Sequence, residues 1–301
     1  EGTRGHQRIQ DTRSEHYRAE VPVSHSVEVD SIALEINGRI DGLLIEGDCV
    51  LVEEIKTTER ALDPEKEDVP VHWAQAKVYA SILAIQHDLE SVDVQLTYVQ
   101  LESLACHEDR RTFEREELLA FFEDVITRYM HWAHIYHGWC DERDATIKAL
   151  PFPFADYRPG QRALAVATYR AVENDGRAFA QAPTGIGKTI STLFPAVKAL
   201  GLGHVEKLFY LTAKTIGRTV AEKAVEDMRS EGLQLKSLTL TARDKICFKP
   251  NGGTRCDTDQ CPFAIGYFDR INDALQDAFE HDAFTRPLIE EYAQKHQVCP
   301  F

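Results

Sequence analysis

The chain has 301 residues, which is enough for about two domains that each bury a core. Its 43% apolar and 28% charged residues are ordinary for a soluble globular protein, and no apolar run approaches the ~20 residues that a membrane-spanning helix needs. The formal net charge of −15 argues mildly against nucleic-acid binding, because most affinity for DNA comes from neutralising phosphates. Seven cysteines, an odd count, together with the lack of a signal-peptide pattern, favour a cytoplasmic protein with thiols or metal ligands over a disulfide framework. Because the chain begins with Glu1, we expect it to be a piece of a longer protein.

The first half of the chain predicts an α/β domain over residues 1–150. Three segments are rich in β-branched residues and are typical of strands: VEVDSIALEI, CVLVEEIKT and VDVQLTYVQL. Between the last two lies HWAQAKVYASILAIQ, whose apolar residues have helical spacing. From Thr112 to Lys148 the pattern is again helical, and it ends at Pro151.

Charged residues converge in the stretch GRIDGLLIEGDCVLVEEIK, which predicts a hairpin with a tight turn at Gly47–Asp48. In that register Asp41 lies opposite Glu54, and Lys56 shares the face of Glu54 because it follows two positions later. Facing carboxylates repel unless a cation lies between them, and hard oxygen ligands suit Mg²⁺ or Mn²⁺. Such a metal would activate a water while Lys56 orients it, which is an arrangement for phosphodiester hydrolysis. Charged residues on the open face of a hairpin are, however, also typical of a solvent-exposed surface that has no catalytic role.

Two further features extend this pattern. The segment GTRGH places His6 in an N-terminal helix, as a nitrogen ligand candidate for the same metal. The segment QAKVY places Gln75 and Tyr79 four positions apart, on one face of a helix.

Along the chain come a histidine, an aspartate, a Glu-x-Lys pair and a Gln-x₃-Tyr pair. In this order, the four elements resemble the PD-(D/E)xK nucleases of the RecB and AddB type, over roughly residues 1–102. The resemblance implies a restriction-endonuclease-like fold in which His6, Asp41 and Glu54 bind the metal. It also implies that Lys56 is catalytic, with Gln75 and Tyr79 positioning the lysine and the DNA strand.

The remaining histidines and cysteines of this half are expected to have no role in the site. His16 and His25 are rival histidines, which we expect to be surface or turn residues. Cys49, Cys106 and Cys140 do not match the flanking cysteines of cluster-bearing RecB-type nucleases. We interpret these three as buried apolar residues or idle thiols, and we predict no cluster in the nuclease half.

The second half predicts another α/β unit over residues 151–301. Helices are expected over residues 159–173, 188–200 and 216–229, with strands at RAFAQA and KLFYLT. Between the first strand and the second helix lies APTGIGKT, whose backbone amides and helix end suit phosphate oxygens. Its first position is Ala182 where glycine is usual, and a glycine-rich turn without a ligand is the alternative. In this loop, Lys188 would reach the β- and γ-phosphates, and the hydroxyl of Thr189 would hold the metal. The residues expected to bind ATP with Mg²⁺ here are Thr184, Gly185, Ile186, Gly187, Lys188 and Thr189.

Segments on either side of the loop carry a second resemblance. YRPGQ precedes it and LTAKTIGRT follows the next strand, as in the superfamily 2 DNA helicases with an iron–sulfur cluster, the DinG and XPD group. Over residues 156–301 this resemblance implies a partial RecA-like domain. Arg158 and Gln161 would contact the nucleotide, and Thr212 and Lys214 would contact DNA. The sequence contains neither DEAH nor DEAD, so we expect nucleotide binding without unwinding.

Four cysteines lie within residues 243–301, the iron–sulfur region that the resemblance implies: Cys247, Cys256, Cys261 and Cys299. The segment ARDKICF is like the helicase segment before the first cluster ligand, and four thiolates are what a 4Fe–4S cluster needs. Structural zinc uses the same ligands, but the gaps of eight, four and thirty-seven residues do not fit paired Cys-x₂₋₄-Cys knuckles. Free thiols are the remaining alternative.

The sequence therefore predicts an α/β protein in which a restriction-endonuclease-like domain precedes a partial RecA-like domain with an iron–sulfur insertion. The expected function is metal-dependent cleavage of DNA, single-stranded or with single-stranded ends, joined to part of an ATP-dependent helicase for DNA repair or processing. Two alternatives stay open. One is a DNA-binding adaptor with a vestigial nuclease site, and the other is an ATP-dependent switch that binds a partner without DNA.

Overall fold

A computed structural model describes most of the chain, in two compact units that are residues 1–133 and 134–301. Within the described residues, no helix combines the length and the apolar character that crossing a membrane requires. The described ranges are 2–30, 32–47, 49–63, 69–213, 215–249, 256, 258 and 260–301.

The first unit is built on a mixed five-stranded sheet with the order β1-β2-β3-β4-β5. Strands β3 and β4 are parallel and the other neighbours are antiparallel. The elements are α1 (Gly2–Gln10), β1 (Tyr17–Val29), β2 (Ile32–Glu46), β3 (Cys49–Thr58), α2 (Pro70–His87), β4 (Ser91–Gln100), β5 (Cys106–Glu114) and α3 (Arg115–Ala149), the last of which continues into the second unit.

Helix α2 makes the crossover that the parallel pair β3–β4 requires. Pro70 fits the first turn of α2, where its missing N–H costs no hydrogen bond, and Asp88, directly after the helix, caps it in the left-handed conformation. Strand β4 lies inside the sheet and is buried almost throughout, as a central strand covered by a helix should be. This mixed sheet and its helices agree with the predicted α/β fold class.

One predicted strand, VEVDSIALEI, is in fact two. Strand β1 ends at Val29 and β2 begins at Ile32, and these two residues pair across a tight turn. Asp30 in that turn has a φ of +48°, a left-handed conformation that Asp tolerates better than most residues. The apolar residues resume directly after Asp30 and Ser31, so only two adjacent polar residues mark the turn in the sequence.

The second unit is mainly helical. Its interior is formed mostly by apolar side chains of α5 and α6, such as Val197 and Met228, which are buried. The elements are α4 (Gln161–Glu173), α5 (Lys188–Gly201), α6 (Thr215–Ser230), β6 (Ser237–Leu238), α7 (Arg243–Ile246), α8 (Tyr267–Ala278), β7 (Ala283–Phe284) and α9 (Arg286–His296).

The two strands predicted beside the phosphate loop are wrong for this structure. Residues 177–182 and 207–212 have no strand structure, and the sheet in the described part of this unit is the short parallel pair β6–β7. Phe179 is 98% exposed and Leu211 is 89% exposed. A strand of a parallel sheet is stable only with neighbouring strands and helices over both faces, and neither segment has such neighbours in the described residues. The predicted helices around them are present to within two residues.

Candidate functional site

The hairpin register that brings the charged residues together is the predicted one. Strand β2 pairs with β3 from Glu46–Cys49 to Gly42–Glu53, so that Asp41 and Glu54 are the next residues along the two strands. Asp41 accepts a hydrogen bond from the backbone N–H of Ile55 at 2.8 Å through Oδ2. Its carboxylate is therefore held at the edge of β3, directly beside Glu54.

Helix α1 brings His6 to the same place. His6 Nδ1 lies 3.5 Å from Asp41 Oδ1, and Gln10 from the end of α1 donates to the Asp41 carbonyl at 2.9 Å. Gly5 allows the helix to approach β3, because a Cβ there would overlap the side chain of Thr57. The hydrogen bond to Asp41 raises the pKa of His6 above its ordinary value.

Glu54, Lys56 and Gln75 form a chain of contacts across β3 and α2. Lys56 Nζ donates to Glu54 Oε1 at 2.6 Å and to Gln75 Oε1 at 3.1 Å. The Glu54 side chain is only 2% exposed, and its second oxygen, Oε2, is buried without a hydrogen-bond partner. The structure therefore brings the predicted lysine, glutamate and glutamine together and leaves one oxygen of the Glu54 carboxylate without a hydrogen-bond partner.

The unpartnered oxygen is the main physical indication of a cation site. Burial, followed by the charge of Asp41, raises the pKa of Glu54 from 4.5 to about 7. A buried carboxylate oxygen that accepts no hydrogen bond is costly, and a bound cation would supply the missing partner. Imidazole and carboxylate donors from His6, Asp41 and Glu54 fit a divalent ion.

Glu20 is a candidate ligand that the sequence analysis missed. Donor atoms of His6, Glu20 and Asp41 all lie within 4.8 Å of one another. Glu20 belongs to β1, and its position opposite Asp41 follows only when β1 and β2 are paired as a hairpin. The predicted strand VEVDSIALEI runs through the turn between them, so it does not place Glu20 opposite Asp41.

Tyr79 lies one helical turn beyond Gln75, with its ring against β2. A Cβ on Gly38 would overlap that ring, so this glycine permits the approach of α2 to the strand. The rival histidines are elsewhere, since His16 is exposed in a turn and His25 contacts the ring of Phe122.

The three cysteines outside the predicted cluster are not buried, which corrects one of the two interpretations offered for them. Cys49 and Cys106 are exposed, and Cys140 is half-buried. Because exposed thiols add little to a core, the reading of these residues as buried apolar side chains is wrong. They are free thiols in this structure.

A second buried carboxylate, Glu53, supports the site from the opposite face of β3. It is 1% exposed and accepts hydrogen bonds from Tyr17 Oη at 2.7 Å, Gln95 Nε2 at 3.0 Å and Arg13 Nε at 3.2 Å. Gly42 pairs with Glu53, and a Cβ on Gly42 would overlap the Tyr17 hydroxyl. Arg13 follows α1 in the chain, so this network ties the end of the His6 helix to the sheet.

The phosphate loop forms an open turn at the start of α5. Gly185 and Gly187 have φ values of +86° and +83°, which glycine adopts without strain. Lys188 Nζ donates to the carbonyls of Pro183 at 2.8 Å and Ala182 at 3.2 Å. Thr184 and Gly185 are exposed.

The predicted nucleotide contacts outside the loop lie against it. Arg158 Nη1 donates to the carbonyl of Gly185 at 2.6 Å, and its backbone N–H donates to Gln161 Oε1 at 2.9 Å. Gln161 is buried beneath Gly187, where a Cβ would overlap its amide nitrogen. Ile186 reaches Gly160, just before α4.

Thr189 is the last residue of the loop, and Thr212 is the one predicted DNA contact within the described residues. Thr189 Oγ1 lies 3.3 Å from the hydroxyl of Tyr210. Thr212 lies against Gly217, where a Cβ would overlap its hydroxyl. Lys214 lies outside the described residues.

Three of the four predicted cluster cysteines lie beside one small apolar group. Phe248, next to Cys247, contacts the ring of Phe263, and Val298, next to Cys299, is buried in the same group. Arg270 Nη2 donates to the carbonyls of Ile265 at 2.6 Å and Gln297 at 2.8 Å, and this joins the segments that carry Cys261 and Cys299. Within the described residues, the four sulfurs do not form a group as close as that at His6. Cys256 is exposed, and several residues beside it lie outside the described ranges.

The comparison with protein families identifies the class. The model of the PD-(D/E)XK nuclease superfamily matches residues 3–265. The chain therefore belongs to the PD-(D/E)XK nuclease superfamily, as predicted from the hairpin and the flanking helices.

Relatives confirm the second predicted resemblance at low identity. The XPD helicase subunit of general transcription and DNA repair factor IIH from Dictyostelium discoideum is 21% identical over 181 residues, which are 50% of this chain and 23% of that protein. A probable ATP-dependent helicase of Methanocaldococcus jannaschii is 29% identical over 102 residues, which are 34% of this chain and 15% of that protein. The chain thus spans less than a quarter of these helicases. The crystal structure of SSO0001 is 20% identical, with a TM-score of 0.28 over 42% of this chain and 58% of that one.

Proposed function

We propose that the chain is a Mg²⁺- or Mn²⁺-dependent deoxyribonuclease joined to the nucleotide-binding part of an iron–sulfur DNA helicase, acting in DNA repair or processing. The observation that carries the nuclease proposal is the unpartnered Oε2 of buried Glu54, which lies beside Asp41 and near His6. Superfamily membership supports the reaction class.

The side chains of the site have two roles in phosphodiester cleavage, which are to bind the metal and to align the attacking water. His6, Asp41 and Glu54 would hold the divalent metal, which when bound polarises the phosphate and lowers the pKa of a water. Lys56 is fixed by Glu54 and Gln75, so its ammonium is already oriented before DNA binds. Its remaining N–H can align the attacking water or donate to the negative charge that develops on the phosphate.

Single-stranded DNA labelled at its 5′ or 3′ end tests the proposal directly. With Mn²⁺ or Mg²⁺ and without ATP, we expect cleavage that stops when EDTA is added. DNA binding without cleavage in either metal would favour a DNA-binding adaptor with a vestigial site.

Nucleotide binding is proposed for Lys188 and its loop, with Arg158 and Gln161 beside them. The ammonium of Lys188 now contacts two neutral carbonyls, and phosphate oxygens are stronger, charged acceptors for it. Replacing Lys188 by Ala should weaken ATP binding about 10-fold or more in a calorimetric titration. The exposed Lys207→Ala is the matched control. We expect turnover at background in both, and robust ATP hydrolysis by this chain would contradict the assignment.

A 4Fe–4S cluster is proposed at Cys247, Cys256, Cys261 and Cys299, supported by the convergence of three of their segments. Protein purified without oxygen should absorb broadly near ~400 nm and contain about four irons per chain. Replacing Cys256 by Ser should remove this absorbance, whereas Cys140→Ser, on α3, should preserve it. A colourless anaerobic preparation with one zinc per chain would show a structural zinc site instead.

A further inference from the structure

Three neighbouring strands each place a carboxylate in one row across the sheet. Asp41 on β2 lies between Glu54 on β3 and Glu20 on β1. The position of Glu20 follows from the pairs on either side of it, which are Ala19–Gly42 and Val21–Ile40. Residues directly opposite each other on antiparallel strands place their side chains on the same face, and like charges there are destabilising. A row of three carboxylates is therefore unfavourable unless a cation neutralises it.

The backbone at Glu20 is unusual for the interior of a strand. Its φ is +54°, a left-handed value that is rare for residues other than glycine and that costs conformational energy. The strained residue is the one whose carboxylate reaches His6 and Asp41, with donor atoms of all three within 4.8 Å. Strained residues inside regular structure cluster at active sites and ligand sites.

The groups that now contact Glu20 do not explain this geometry. Arg39 Nη1 lies 3.7 Å from Glu20 Oε2, and both side chains are exposed, so this ion pair contributes little. Gln10 Nε2 donates to Glu20 Oε1 at 3.3 Å, a long hydrogen bond from a neutral group. Neither partner requires a left-handed residue inside β1.

We propose that Glu20 is an additional carboxylate ligand of the divalent-metal site, opposite Glu54 across Asp41. An independent observation on the other side of Asp41 indicates a ligand, namely the buried and unpartnered Oε2 of Glu54, whose side chain is only 2% exposed. This inference deepens the proposed nuclease function and depends on it. With Glu20 included, the donors are one imidazole and three carboxylates, a set that Mn²⁺ accepts well because it binds both oxygen and imidazole nitrogen.

Binding of Mn²⁺ to the full chain, measured by calorimetry and by the loss of the free-ion paramagnetic resonance signal, tests the role of Glu20 without relying on activity. Glu20→Gln keeps the shape of this exposed side chain and removes its charge, so the fold should persist. We expect Mn²⁺ affinity to fall at least about 10-fold, since even groups that only support metal ligands have effects of that size. Glu28→Gln, an exposed glutamate of the same strand, should leave affinity unchanged.

Two further variants separate the possible failures. Arg39→Gln should bind Mn²⁺ as well as the unmodified chain or better, because it removes a competing cation from Glu20. Asp41→Asn should lose binding at this site and so identify it. If Asp41→Asn weakens Mn²⁺ binding but Glu20→Gln does not, the Glu20 assignment is wrong and the nuclease proposal stands. If the unmodified chain neither binds Mn²⁺ nor cleaves DNA, both proposals fail.

Discussion

Replacing Lys56 by Ala should reduce metal-dependent cleavage of single-stranded DNA by about 100- to 1,000-fold, the effect of removing one donor that stabilises developing charge. Lys56 is a strong candidate because its ammonium is already fixed by Glu54 and Gln75. The measurement is the single-turnover rate with end-labelled DNA at saturating Mn²⁺. Because Lys56 is not a proposed metal ligand, Mn²⁺ binding should persist in the variant.

The matched control is Lys77→Ala, which removes the other described lysine of the first unit. Lys77 pairs with Glu117 at 3.5 Å and lies over the rings of Phe113 and Phe121, so its loss should change stability more than the cleavage rate. Asp41→Asn should lose both cleavage and Mn²⁺ binding, unlike Lys56→Ala. Cleavage that persists in Lys56→Ala and in Asp41→Asn would show that another site, or a contaminant, cuts the DNA.

The centre of the site could be predicted because a two-residue turn fixes the register of a hairpin. Once Gly47–Asp48 is taken as the turn, Asp41 must lie opposite Glu54, and the observed Gly42–Glu53 pair confirms the register. Likewise, the position of Lys188 follows from a glycine-rich loop followed at once by a helix. Both inferences use neighbours that are close in sequence.

The parts that the sequence did not predict depend on distant residues. Glu20 reaches Asp41 only through the β1–β2 hairpin, whose turn at Asp30 is marked in the sequence by no more than two adjacent polar residues. Glu53 is a charged residue at a fully buried position, and its partners Arg13 and Gln95 come from a loop and from β4. No local sequence pattern predicts such a network, because each of its residues is of a polar type that is usually exposed.

Removing the charge of Glu54 should make the metal-free protein more stable at alkaline pH, although it should destroy the proposed metal site. The pKa of Glu54 is raised from 4.5 to about 7 in the folded state, mainly by burial. Between these values the folded state binds more protons than the unfolded state, so the free energy of unfolding falls as pH rises. The raised pKa of His6 acts in the same direction, because its protonated form is also favoured by folding.

In EDTA at pH 8, Glu54→Gln should therefore exceed the unmodified chain in free energy of unfolding by on the order of 3 kcal/mol, and by much less at pH 5. Urea unfolding followed by circular dichroism at the two pH values measures the difference, with the exposed Glu46→Gln as the control that should change neither value. Adding Mn²⁺ should reverse the order, since the ion stabilises only a chain that can bind it. Equal stabilities of Glu54→Gln and the unmodified chain at pH 8 would mean that Oε2 of Glu54, like Oε1, already has a partner. In that case Glu54 would need no cation between it and Asp41.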